Sequence, residues 1–272
     1  MEKRFEKQTF AMRLKSMVKV DVKRMFTMPL VYILIAVSFV MPILILVMTS
    51  MMDGSVTTDA NGNQTVMEGF DNVWQIIGMV GGSAASGEEG AAMSMDLVSM
   101  CNINMLYFII SVLVCVFVAD DFRSGYAKNL FTVRAKKSEY VISKTAVCFI
   151  GGALMIFAFF IGAVLGGKFA GLPYTMVGFN VVNLLFCVLS KGCLVLLFVS
   201  IFLMMSVIAK QKLWLSILLS MGVGMFLFMV VPIVSPLDAG ILHVILSLFG
   251  SGLFAFGFGC ISNLILKKTA LV

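Results

Sequence analysis

Residues 23–53 read KRMFTMPLVYILIAVSFVMPILILVMTSMMD. Two bases open the stretch, no charge follows until Asp53, and residues 30–51 are apolar almost throughout. A helix needs roughly 20 mostly apolar residues to cross the hydrocarbon core of a bilayer, so this segment can span on its own. Beginning after 29 residues, it is too long and too late for a cleaved signal and reads as a retained first helix. Outward from it, five further apolar runs have comparable length: 100–119, 145–167, 177–209, 213–234 and 241–266. Only Lys210, Gln211 and Lys212 separate the fourth run from the fifth, and Pro232, Pro236 and Asp238 punctuate the tract between the last two. Short alternating segments of the kind a β-barrel needs do not occur. The expected fold is an all-α membrane protein: one domain over residues 1–272, with six transmembrane helices.

Composition agrees. Hydrophobic residues make up 60% of the 272 and charged residues 12%, against about 45–50% and about 25% in soluble domains. The mean hydropathy of +1.05 leaves too little polar surface to cover a globule of this size in water. A disordered chain, a coiled coil and a disulfide-stapled module are excluded as well.

The net charge of +6 would point to nucleic acid in a soluble protein. Its distribution says otherwise. Residues 1–29 carry eight Lys or Arg, the segment 120–144 carries six, and Lys210, Lys212, Lys267 and Lys268 lie further along. Loop 52–99 carries seven acids and no base. On a six-helix map, 18 of the 20 bases fall on one side, which the positive-inside rule makes the cytoplasm, with both termini there. The charge then reports orientation, and no nucleic-acid partner is expected.

Catalytic groups are scarce. The single histidine, His243, excludes a His-rich metal site, and no Asp or Glu lies within an apolar run to serve a Ser-His-Asp arrangement or a proton relay. The six cysteines lie in or beside apolar segments without C-x-x-C spacing and read as small packing hydrophobes. Gly162 to Lys168 fits the first seven positions of a phosphate-binding loop, but Phe169 replaces the required Ser/Thr and the stretch ends a membrane helix. Its Gly162 and Gly166 read instead as a G-x-x-x-G helix-packing face. The chain is expected to be no enzyme and to carry no cofactor.

Five features remain. In the N-terminal segment 1–28, Phe10, Leu14, Met17, Val18 and Met25 recur at helical spacing, interleaved with Arg13, Lys15, Lys19, Lys23 and Arg24. This predicts an amphipathic helix on anionic lipid, acting either as a topology anchor or as an elbow against a partner domain. Lys191 is the one charge well inside an apolar run; 19 residues from Lys210, or about 28 Å, it falls near the outer boundary. There it either snorkels or faces an outward vestibule. In loop 52–99, Val66, Phe70, Val73, Trp74 and Ile77 share a helical face, which predicts a short outer helix serving as a cap or a gate. Gly81, Gly82 and Gly87 would loosen the chain beyond that helix. Ser251, Ala255 and Gly259, four apart, predict a close-packing face on the last helix.

The fifth feature is residues 120–144, DDFRSGYAKNLFTVRAKKSEYVISK. They resemble the loop between the second and third helices of ABC-2 type transporter permeases: an acidic residue, a Gly, a short helix with Lys-Asn-Leu, a basic residue, and a Tyr/Ile-rich return to Lys. Asp121, Phe122, Gly125, Lys128, Asn129, Leu130, Lys137, Tyr140 and Lys144 match position by position. Gly125-Tyr126 stands where Gly-Thr is commoner, and Lys137 where Arg is. With six helices, internal termini and an elbow-like N-terminus, the resemblance extends over the whole chain. It implies a permease subunit of a bacterial plasma-membrane ABC exporter. Two such subunits, identical or paralogous, form the pathway, and separate ATPase subunits bind ATP and Mg. The cargo it implies is amphipathic peptide first, hydrophobic drug second and lipid third. Gly125 permits the tight turn; residues 126–133 form a coupling helix exposing Leu130 and Phe131 to the ATPase, and Arg134, Lys136 and Lys137 orient the dock. The competing readings are a non-transporting assembly or sensor subunit and an ATP-independent channel or carrier.

Overall fold

The computed structural model describes residues 10–58, 64–66, 69–78, 102–132, 136–175, 180–209, 212–228 and 230–268. Its helices are α1 (Phe10–Thr27), α2 (Pro29–Met52), α3 (Leu106–Arg123), α4 (Tyr126–Thr132), α5 (Lys137–Ala170), α6 (Val181–Ala209), α7 (Leu213–Phe228), α8 (Val231–Val234) and α9 (Ile241–Lys268). Five of the spans, α2, α3 with the 3-10 turn before it, α5, α6 and α9, are long and apolar enough to cross a membrane. The chain is therefore a predominantly helical protein of the multi-pass membrane class.

The tract expected as a single fifth span, 213–234, is divided into the 16-residue α7 and the one-turn α8. Pro232 accounts for the break. It has no N–H to donate, and its ring collides with the carbonyl four residues back, which belongs to Phe228, the last residue of α7. Pro42, by contrast, sits inside α2 without ending it, as membrane helices tolerate where neighbours cover the freed backbone.

Helices α3, α5 and α6 form the interior and are more than half buried along their apolar windows, while α2 and α9 are peripheral. Close approach of α2 to α5 depends on the G-x-x-x-G pair. A Cβ on Gly162 would lie 2.1 Å from the Phe39 carbonyl oxygen, and one on Gly166 would lie 2.8 Å from Ile43 Cα. The small-residue stripe of α9 packs within the chain: Ser251 is buried, Ser247 hydrogen-bonds Ser190 of α6 at 2.6 Å, and Gly259 stands opposite Val141 of α5.

One end of the bundle gathers α1, the α3–α5 connection and the C-terminal end of α9, where the Lys137 ammonium donates to the Leu266 carbonyl. Arg13 of α1 pairs there with Glu139, so both described ends of the chain meet at that end. The opposite end carries a hairpin of β1 (Val56–Thr58) and β2 (Gln64–Val66), with Val56 opposite Val66. The segment expected as an outer amphipathic helix is a single 3-10 turn, Val73–Ile76, capped by the Asn72 side chain. It does not lie on a surface. Phe70, Val73, Ile76 and Ile77 are buried, Trp74 donates to the Tyr174 carbonyl at 2.8 Å, and Val73 fills the space a Gly167 side chain would occupy. Gly81, Gly82 and Gly87 lie outside the described residues.

Candidate functional site, a buried ionic joint

The apolar stripe of α1 holds an acid. Met17, Asp21 and Met25, spaced four apart, are the buried residues of this helix, and they face α5 of the same chain. Val18 and Val22 pack beside them, while Lys15, Lys19 and Lys23 stay exposed and Phe10 is about half exposed. Leu14 is half-buried. The elbow predicted from sequence thus packs on its own bundle.

Asp21 meets α5 directly and, through Lys144, reaches the end of α3. Lys144 of α5 is fully buried and donates to Asp21 Oδ1 at 2.9 Å and to Asp121 Oδ2 at 2.7 Å. Ser143 Oγ donates to Asp21 Oδ2 at 2.6 Å, and Tyr140 donates to Asp121 Oδ2 at 2.9 Å. Arg24 closes the set on Asp121 Oδ1 and reaches the exposed Asp120 at 3.3 Å. All four oxygens of the two buried carboxylates therefore have donors, and two carboxylates face two cations. Aromatic faces wall the joint: Lys144 Nζ lies 3.8 Å from the Phe117 ring centre, and the Arg24 guanidinium 3.9 Å from that of Tyr126, which supports both cations through ring quadrupoles. Burial disfavours the charge on Arg24, but Asp121, by charge and hydrogen bond, outweighs it together with Tyr126 and Asp21, and the guanidinium pKa is raised. Burial likewise pushes the Tyr126 phenol up, so it stays protonated.

Ions this deep cost several kcal/mol each unless every partner is in place. The joint is an all-or-none contact. It ties α1, the end of α3 and the start of α5 into one unit, and Arg13 adds a second tie at 2.9 Å to the buried Glu139.

This geometry redraws the expected loop over 120–144. Helix α3 runs on through Arg123 and α5 starts at Lys137, so Asp121, Phe122, Tyr140 and Lys144 are helical residues at the roots of a shorter connection. Within it Gly125 has φ +72°, the left-handed conformation that favours glycine, and α4 starts at the next residue. Lys128 and Asn129 of α4 are exposed. Leu130 and Phe131, expected on the outer face, are half-buried against the bundle, and the Phe131 ring meets Tyr140 edge-on at 5.4 Å. Lys137 is half-buried, donating to Leu266, and Lys136 is exposed. Arg134 lies outside the described residues.

Lys191 does not snorkel, nor does it face an open vestibule. It is fully buried. Its ammonium donates to Asn104 Oδ1 at 3.0 Å, and its carbonyl accepts from Tyr107. Asn104 sits in the 3-10 turn Ile103–Met105, capped by Asn102. The protein supplies an acceptor at that depth, so the side chain need not reach for water.

Sequence reasoning misses Asp21, Ser143, Glu139 and Asn104 as participants. For Asp21 a signal exists, since an acid on the apolar stripe of a basic helix is informative in a way that exposed lysines are not. No protein-family model matches the chain, and neither a curated protein nor a solved structure is similar to it.

Proposed function

We propose that the chain is the permease subunit of an ATP-binding cassette exporter, with both termini and the ionic joint on the cytoplasmic side of a bacterial plasma membrane. Separate ATPase subunits hold ATP and Mg and drive amphipathic or hydrophobic cargo outward, with peptide the first class to test and drug the second. The ABC-2 resemblance of residues 120–144 motivates this reading. The observation that carries it is that both roots of the α3–α5 connection, Asp121 on one side and Tyr140 and Lys144 on the other, close on the same buried joint. A short helix held this way moves with α1, α3 and α5 as one lever, which is what transmission from an ATPase to membrane helices requires. Lys128 and Asn129 offer the exposed face of that lever. A sixth crossing, assigned here to α7 with α8, suits this reading, since both described chain ends lie at one end of the bundle, as an even number of crossings requires. A second permease subunit, a copy or a paralogue, completes the pathway.

The test is affinity purification of the full chain from its host membrane. An ATPase of the cassette class is expected to co-purify, and Lys128→Glu with Asn129→Ala to reduce its recovery about tenfold at unchanged melting temperature. Recovery of the chain with no ATPase indicates a non-transporting subunit. Flux through the purified chain without ATP indicates a channel or carrier. Either result rejects the proposal.

A further inference from the structure

Helix α1 does not lie across the end of the bundle. Its contacts climb α5 in step: Arg13 meets Glu139, and Asp21 meets Ser143 and Lys144. The Met25 sulfur then lies 3.2 Å from the position of a Cβ on Gly151. Helix α2 carries on in the same direction, with Phe39 and Pro42 against Gly162 and Ile43 against Gly166. So α1 stands along the bundle axis as a continuation of α2, where the sequence alone predicts a helix resting on the lipid surface. Lys15, Lys19 and Lys23, spaced four apart, are exposed on the side opposite the buried Met17, Asp21 and Met25, and stand about 6 Å apart along the axis. None of them has an ion pair among the described residues, because the described acids of this end are taken. Lys144 and Arg24 hold Asp21 and Asp121, Arg24 holds Asp120, and Arg13 holds Glu139.

The apolar run of α2 opens at Leu30, and Tyr32, beside it, is an exposed aromatic of the kind that sits at headgroup level. Lys23 lies two turns before that edge, about 10 Å along the axis, with Lys19 at about 16 Å and Lys15 at about 22 Å. The headgroup layer is about 5–7 Å deep on each side of the hydrocarbon, and a lysine stem leans several ångströms toward it. Lys23 therefore reaches the phosphates. Lys19 stays within one screening length of them, about 8 Å in physiological salt, and Lys15 falls outside it. We propose that the upright α1 binds the anionic phospholipid headgroups around it through Lys23 first and Lys19 second, with Lys15 too far out to take part. Charge calls for an anionic occupant, and depth selects lipid, since an acidic protein arriving from the water meets Lys15 before Lys23. A second copy brings the same lysines and no unpaired described acid at this end. The inference rests on the membrane location alone and needs neither the ATPase nor a direction of transport.

Lipid photo-crosslinking to the full-length chain in vesicles tests it. Phosphatidylglycerol or phosphatidylcholine is added at the same small fraction, each with a diazirine on the acyl chain next to the glycerol. Irradiation is expected to place about tenfold more phosphatidylglycerol than phosphatidylcholine on the junction of α1 and α2. Lys23→Gln lowers the phosphatidylglycerol yield about fivefold and Lys19→Gln about twofold, while Lys15→Gln leaves it unchanged. Melting temperatures read in parallel show that each variant is folded. Equal yields of the two lipids on the wild-type chain overturn the proposal without recourse to any variant. Equal losses from the three substitutions overturn it too, because they lay α1 flat in the headgroup plane. Carbodiimide, which joins lysines to carboxylates, is then applied to membranes of the host. A bond from Lys19 or Lys23 to another protein or to a second copy assigns the stripe to that partner and overturns the proposal.

Discussion

Lys144 holds two carboxylates that, among the described residues, have no other cation partner except Arg24 on one of them. Truncating it leaves Asp21 with only a serine hydroxyl. Lys144→Met is expected to destabilise the chain by about 3–5 kcal/mol, the cost of breaking a buried pair, read as thermal or denaturant unfolding in detergent. Asp21→Asn in the same chain should recover a substantial part of that loss, because the orphaned charge is then gone. Strict additivity of the two changes would show that Asp21 and Lys144 do not interact. Lys191 behaves differently because its side-chain partner among the described residues, Asn104, is neutral. Lys191→Met removes a charge along with its solvation demand and should cost under about 1.5 kcal/mol. Asn104→Leu keeps the buried ammonium, takes away its acceptor, and should cost more by the same measurement. The opposite ranking would mean that Asn104 does not hold the charge. Spacing along the chain places Lys191 at the right depth, yet depth does not say whether a long side chain turns to water or inward. That depends on an asparagine 87 residues away, which no local pattern reveals. The joint is half-legible in the same way: the match at Asp121, Tyr140 and Lys144 marks one side of it, while the other side rests on Asp21, a lone acid among the bases of α1.

Elements are most legible where the physics is local. Apolar runs give the long helices to within a few residues at their outer ends. They give poor bounds at the charged end, where α3 and α5 continue through Asp121 and down to Lys137. Hydropathy stops at the first charge, but a helix does not stop there if the charge finds a buried partner. The 3-10 turn at Val73–Ile76 departs from expectation for the converse reason. Its apolar residues fit a helical face, and one turn packed on Gly167 and Tyr174 satisfies them just as well. The G-x-x-x-G face of α5 is legible because it needs no knowledge of the partner helix beyond its closeness. Gly162→Ala should push α2 off α5 and cost about 1–3 kcal/mol, since the new methyl would meet the Phe39 carbonyl at 2.1 Å. Gly252→Ala on α9, where nothing lies within 4 Å, should stay within about 0.5 kcal/mol. Comparing the two melting temperatures separates a packing glycine from an incidental one, and equal losses would refute the close α2–α5 contact.

For the whole molecule the governing quantity is the asymmetry of charge between the two ends of the bundle. The basic N-terminal helix, the α3–α5 connection and the last turn of α9 share one end, while Asp53 and Asp71 sit at the other. A bilayer with anionic inner lipids and an inward-negative potential favours the basic end inside, and the ionic joint fixes α1 to that end, so the first helix cannot invert without carrying the joint with it. In the background of a cysteine-free chain, Ser124→Cys and Ser55→Cys place one exposed thiol at each end. A membrane-impermeant maleimide should label Ser55→Cys in intact cells and label Ser124→Cys only once the membrane is opened. The reverse pattern would put the joint outside, away from any cytoplasmic ATPase, and the export reading would fall with it. Labelling of both in intact populations would mean the chain inserts in two orientations. In that case the seven acids of residues 52–99 and the bases of the opposite end do not suffice to orient it.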